Sequence, residues 1–192
     1  MLSAVWVWLY TCVFALLHSL LASNKVKAKC YAKGLAAHHY RFLYVIVAVI
    51  ATIVWLWVID QLADAPLYQV DGFAAYILYA TQIVGLMLAI AALIPIDGAV
   101  FLGLRKAEQS HDPFIVQGVF KYVRHPMYAG LMLFLLAKPE QTEVGLHFAL
   151  AVSLYFIIGS KLEEKRMLAE HPDYADYQQR VGAFIPKLFS RS

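Results

Sequence analysis

Apolar runs separated by short polar stretches dominate the chain from end to end. Five such runs stand out: Leu2 to Ala22, Phe42 to Ile59, Phe73 to Ile96, Met127 to Ala137 and Val144 to Ser160. The first three have the length, about 18 residues or more, that a helix needs to cross a bilayer core of roughly 30 Å. The fourth has 11 residues, and at 1.5 Å per residue it reaches only about 17 Å. The fifth has 17 residues, and the polar stretch Lys138 to Glu143 joins it to the fourth. These two runs predict a short antiparallel helical hairpin. The pattern as a whole predicts an all-α, polytopic membrane helical bundle of about five segments, folded as one domain over residues 1–192.

Composition supports that class. Of the 192 residues, 61% are hydrophobic and 15% charged, too apolar for an ordinary soluble domain. The first run lacks a basic leader and a convincing cleavage site, so it reads as a membrane helix and not as a signal peptide. Cys12 and Cys30 fit neither a disulfide framework nor a metal spacing, and both are expected to be unpaired.

The net charge is only +3, and the placement of the charges says more than their sum. Every Lys and Arg except Lys138 falls in the first loop, the third loop or the C-terminal region. The second loop carries Asp60, Asp64 and Asp71 and no cation. The positive-inside rule then predicts an N-terminus outside the cell and a cytoplasmic C-terminus, the arrangement of a bacterial inner-membrane protein. The C-terminal region is organised too. Leu162 to Glu170 continues the fifth run as an amphipathic helix, His171-Pro172 breaks it, and Tyr174, Tyr177 and Val181 lie at one-face spacing in a further cytoplasmic helix.

Two polar blocks share that predicted cytoplasmic side. One is Arg124-His125-Pro126-Met127-Tyr128, where Pro126 suits the first turn of a helix and pushes His125 to an extended conformation. The open helix N-terminus beside Arg124 and His125 is a ready anion site. The other block is Glu163-Glu164-Lys165-Arg166. A charge at the edge of an apolar segment is expensive unless it serves the interface or a site. Elsewhere, His18 and Gln82 read as interhelical hydrogen-bonding groups. His38 and His39 lack the helical spacing of a metal pair and read as lipid-headgroup contacts.

The Arg124-to-Tyr128 block, the apolar hairpin, Glu163-Glu164, Tyr174, Tyr177 and Phe184-Ile185-Pro186 together resemble the isoprenylcysteine carboxyl methyltransferase superfamily. Phe14 to Ala22 looks more like its bacterial branch of methanethiol S-methyltransferases and NnrU-type proteins. The resemblance implies S-adenosylmethionine-dependent methyl transfer at the cytoplasmic face. It implies cofactor binding by Ile115, Val116, Phe120, His125, Pro126, Met127, Tyr128 and Glu163, with Arg124 and Glu163 as catalytic residues and no metal. Gly159 stands where carboxyl methyltransferases have an arginine, which argues against a prenylcysteine carboxylate as acceptor. The chemistry agrees: in-line displacement asks the protein to position and desolvate, and no Gly-rich nucleotide loop is present.

The expected partners are a small or lipophilic acceptor, with a thiol favoured, and membrane lipid, with no nucleic acid. Three other readings stay open: a non-catalytic NnrU-type protein linked to nitrogen-oxide metabolism, a carboxyl or phospholipid methyltransferase, and a membrane sterol reductase. The chain is short for the last.

Overall fold

The computed structural model describes residues 2–106 and 114–187. Arg191, counted above among the C-terminal cations, lies outside the described residues. In chain order the elements are α1 (Leu2–Ala22), α2 (Asn24–Ala32), α3 (Ala37–Asp60), β1 (Pro66–Gln69), α4 (Gly72–Ala91), α5 (Gly98–Phe101), a 3-10 turn (Gly118–Lys121), α6 (Pro126–Leu136), β2 (Glu140–Thr142), α7 (Glu143–Glu170) and α8 (Tyr174–Arg180). The fold is an all-α polytopic membrane one. Among the described residues, four helices, α1, α3, α4 and α7, are long and apolar enough to cross a membrane. The chain divides into two compact units. One holds the residues up to Ala65 and those from Asp97, and the other holds Pro66–Ile96 with the chain from Phe114 onward.

In the first unit α1 packs against α3. Phe14 stacks on Trp55 with ring centroids 4.2 Å apart, and the Tyr44 hydroxyl lies 2.8 Å from His18 Nε2. His18 therefore makes the interhelical bond expected of it. Residues 24–32, expected as a loop, form α2. Ser23 takes an extended conformation and its hydroxyl accepts from the Val26 N–H at 3.4 Å, which caps the helix. Gly34, at φ +89°, ends it in a conformation that a side chain would strain.

In the second unit α4 and α6 approach backbone to backbone. A Cβ on Gly85 would lie 2.6 Å from the Gly130 carbonyl oxygen and 2.9 Å from the Phe134 nitrogen. Small residues at such a crossing let two apolar helices gain dispersion contact that bulkier residues would block. Gln82 adds a bond from Nε2 to the Phe134 carbonyl at 2.8 Å, the interhelical role its position predicts. The third apolar run ends early as a helix: α4 stops at Ala91 and turns follow.

The hairpin of the fourth and fifth runs is present as α6 and α7. With 11 residues, α6 is about 17 Å long and does not cross on its own. The polar connection contains more order than a turn. Its residues Glu140–Thr142 pair antiparallel with Pro66–Gln69, Tyr68 opposite Gln141 and Gln69 opposite Glu140. This small sheet closes one end of the second unit, and α7 then carries the chain back toward the turn that starts α6.

Gly85→Ala should lower the thermal midpoint of the detergent-solubilised protein. Overpacking of this kind costs about 1–3 kcal/mol, and here the obstruction is backbone, which cannot rotate away. Gly159→Ala, whose Cβ would meet nothing within 4 Å, should leave the midpoint unchanged or slightly raised. Circular dichroism melts of both variants check the pair.

Candidate active site

The two polar blocks meet. Pro126 opens α6 at the first helical position, and His125 precedes it at φ −122°, ψ 62° without capping the helix through its side chain. The backbone of this turn is held by the C-terminal tail. Arg124 N–H donates to the Gly182 carbonyl at 2.8 Å, and His125 N–H to the Ala183 carbonyl at 2.9 Å. Val123 and Gly182 form a parallel bridge. The tail leaves no room for a side chain at Gly182, whose Cβ would run into the Ile185 carbonyl.

Arg124 ties three pieces of chain together. Its Nε and Nη2 both lie 2.8 Å from Glu164 Oε1 on α7. Its Nη1 donates to the Gln178 carbonyl at 3.0 Å and also to the Val181 carbonyl. Gln178 Nε2 donates to Glu164 Oε2 at 2.8 Å. The Arg124 and Glu164 side chains are only 8% and 12% exposed, so the pair is desolvated, and its hydrogen bonds offset that cost. His125 completes the network, with Nε2 2.9 Å from Glu164 Oε1.

Aromatic packing backs the latch. Met167, Tyr174 and Tyr177 form a buried cluster that Phe114 and Val181 join. The Tyr177 hydroxyl donates to the Phe120 carbonyl at 2.6 Å, fixing the 3-10 turn ahead of Arg124. Burial pushes this hydroxyl up to about 12 against the opposing charge of Arg124, so it stays a donor across the physiological range. Tyr174 is raised further by burial and by the charge of Glu164.

Beside the latch lies a more open face. Tyr128 stacks on Phe156 at 4.7 Å and 9°, and His125 is parallel to Tyr128 at 5.6 Å and 5°. Phe184 covers the other flank of His125 at 5.7 Å. The Tyr128 hydroxyl donates to Glu163 Oε2 at 3.4 Å, and His125 Nδ1 lies 3.9 Å from the same oxygen. The Glu163 side chain is 40% exposed. Phe156, Gly159 and Glu163 follow one another at spacings of three and four on α7, hence along one face. A Cβ at Gly159 would meet nothing within 4 Å, so this face has space between its ring and its carboxylate.

The structure thus brings Arg124, His125 and Tyr128 together with the acidic pair. Phe120 joins through its carbonyl. Pro126 is fully buried and Met127 exposed, while Ile115 is half-buried and Val116 exposed ahead of the 3-10 turn. The sequence assigns no site role to Gln178, Phe156 or Phe114, and places Glu164 only within the acidic block. The inward direction of Glu164 shows only once α7 is packed. Ser153, Ser160 and Met167, buried at sevenfold spacing on α7, mark the inward stripe, and Glu164 falls beside it, one turn after Ser160.

Glu164→Ala should release the tail, because removing one partner of a buried ion pair costs about 3–5 kcal/mol. Tryptic cleavage in the C-terminal region, at Arg180 and Lys187, should then accelerate at least tenfold. Glu163→Ala should leave the cleavage rate near wild type. Equal rates in wild type and Glu164→Ala would remove the latch.

The sequence model described as "NnrU protein" matches residues 6–181. A Bradyrhizobium diazoefficiens protein named methanethiol S-methyltransferase 2 is 32% identical over 93% of this chain and 71% of its own length. A Pseudomonas deceptionensis protein named methanethiol S-methyltransferase is 30% identical over 92% of this chain and 70% of its own length. A Mycobacterium tuberculosis protein of the same name is 26% identical over 91% and 74%. No solved structure matches the chain. With the family pattern matched across nearly its whole length, the chain belongs to the NnrU protein family.

Proposed function

We propose that this protein is an S-adenosylmethionine-dependent membrane methyltransferase whose acceptor is a small thiol. The observation that carries the reading is the exposed Glu163 carboxylate beside a ladder of parallel rings, Phe156, Tyr128 and His125, at the uncapped start of α6. The names of its relatives support both the methyl transfer and the thiol.

The residues present fit such a cofactor. S-adenosylmethionine, when bound, supplies an electrophilic methyl group on a positively charged sulfur. Glu163 would attract that cation or the ammonium group, and the faces of Tyr128 and Phe156 would add cation–π attraction. The N–H groups at the start of α6, from Met127 onward, suit the carboxylate end. Pro126 presets the turn, and Ile115, Val116 and Phe120, which precede it in the chain, would contribute to holding the cofactor in this reading. Arg124 is committed to Glu164 and to tail carbonyls, so in this reading it acts by holding the carboxylate that orients His125 rather than by touching the acceptor.

An acceptor thiol must lose a proton before its sulfur can attack. Glu164 engages His125 through Nε2, and His125 turns Nδ1 toward Glu163. A proton leaving the thiol would find a nitrogen and a carboxylate together. Gly159 supplies no cation at its own position on this face to hold a carboxylate substrate. The site would lie on the cytoplasmic face, with the N-terminus outside, as the distribution of Lys and Arg indicates.

Titration of the purified protein with S-adenosylhomocysteine should give saturable binding. His125→Ala and Glu163→Ala should each weaken it at least tenfold, about 1.4 kcal/mol. No binding to the wild type up to millimolar ligand would return the protein to a non-catalytic NnrU-type role. With methyl-labelled cofactor, label should pass to a small thiol in preference to farnesylated cysteine or phosphatidylethanolamine. The rate on the thiol should climb between about pH 6 and 8.5 as the thiolate forms, since a free thiol titrates near 8.5. A reporter fused after Ser192 should read cytoplasmic and one inserted near Asp64 the opposite side. A C-terminus found outside would overturn the cytoplasmic placement of the site.

A further inference from the structure

Helix α2 is held at the junction of two membrane-crossing helices. A single residue, Ser23, joins it to α1, and residues 33–36 join it to α3. Tyr31 on α2 packs edge-on against Tyr40 on α3 at 5.9 Å, and the Tyr40 hydroxyl donates to the Leu21 carbonyl of α1 at 2.5 Å. With both neighbours entering the bilayer there, α2 lies at its surface.

Three lysines share one side of it, while the half-buried Lys27 stands on the other. Lys25, Lys29 and the C-cap Lys33 recur every four residues, along one flank, and all three are exposed. Val26 and Cys30, also four apart, are half-buried and turn toward the protein. No Asp or Glu occurs anywhere before Asp60. That residue closes the far end of α3, about 35 Å from its start at 1.5 Å per residue. Asp97 is engaged by Arg105. Helices α1, α2 and α3 therefore supply no carboxylate before Asp60 to neutralise the three lysines. The two lysines at its ends are about 12 Å apart along the helix axis, far enough to reach more than one headgroup. Lysine stems lie along apolar surface while their ammonium groups seek the phosphate layer.

We propose that the Lys25–Lys29–Lys33 flank of α2 is a binding site for anionic phospholipid headgroups. A basic residue at an anionic surface contributes about 1 kcal/mol. Three acting together correspond to a preference of roughly a hundredfold for anionic over zwitterionic lipid. The site belongs to the first unit and does not depend on the methyltransferase reading.

The test reconstitutes the full chain in phosphatidylcholine bilayers containing a minor fraction of phosphatidylglycerol. The protein is then extracted gently, and the retained lipid is measured by native mass spectrometry. Wild type should retain phosphatidylglycerol, less so after a high-salt wash, since screening weakens exposed charge interactions. The triple variant Lys25→Gln, Lys29→Gln, Lys33→Gln should retain at least tenfold less. The control triple Lys106→Gln, Lys161→Gln, Lys165→Gln should behave as wild type. Arginine at positions 25, 29 and 33 should preserve retention and serves as the folding-competent counterpart if the glutamine variant fails to fold. Salt-insensitive retention, no selective retention by wild type, or equal loss in both glutamine triples would overturn the proposal.

Discussion

A buried ion pair between Arg124 and Glu164 organises the candidate site. Neither charge would be stable alone where it sits, since desolvation of an unpaired ion is costly. Each therefore holds the other, and together they collect the remaining polar groups nearby. Glu164 accepts from Arg124, His125 and Gln178, and Arg124 donates to carbonyls at Gln178 and Val181. The planar guanidinium, with donors fanned around one carbon, is the side chain suited to bind a carboxylate and two carbonyls at once. As a result, α7, the turn before α6 and the C-terminal tail converge on one point. His125 is oriented by the same carboxylate.

The latch can form because helix packing brings its two ends to the same level. α4 and α6 meet through Gly85 and Gly130, and Gln82 bonds across that contact. α6 is only 11 residues long, so its start lies beside the last apolar turns of α7 and not at the far end of a full crossing. There the α7 sequence changes from apolar to charged, and a carboxylate can be half in water. The small sheet of β1 and β2 ties the opposite end of the hairpin. Rigid elements fix the groups on both sides of the open face, which suits a reaction whose barrier is lowered mainly by positioning.

Two adjacent glutamates thus do different work because the helix turns about 100° between them. Glu164 points into protein and neutralises Arg124. Glu163 points toward Tyr128 and keeps a substantial share of its surface exposed. One is spent on structure, and the other remains open to a cation. Arg124, the most suggestive cation in the sequence, has its donors used within the fold.

The sequence by itself determined the membrane class, the crossing segments and the two polar blocks. Each of these depends on local hydropathy, and a lipid environment forces apolar runs of sufficient length into helices. It also determined the helix start at Pro126 and the break at His171-Pro172, because proline acts on its own backbone. It did not reveal α2, whose stability comes from a Ser23 cap and from packing on Tyr40. It did not reveal the β1–β2 pairing, whose strands lie some seventy residues apart. Nor did it separate Glu163 from Glu164. Which of two neighbouring carboxylates faces an arginine forty residues earlier depends on the rotation of α7 about its axis. That rotation is set by contacts with α6 and α8, which only the tertiary structure supplies.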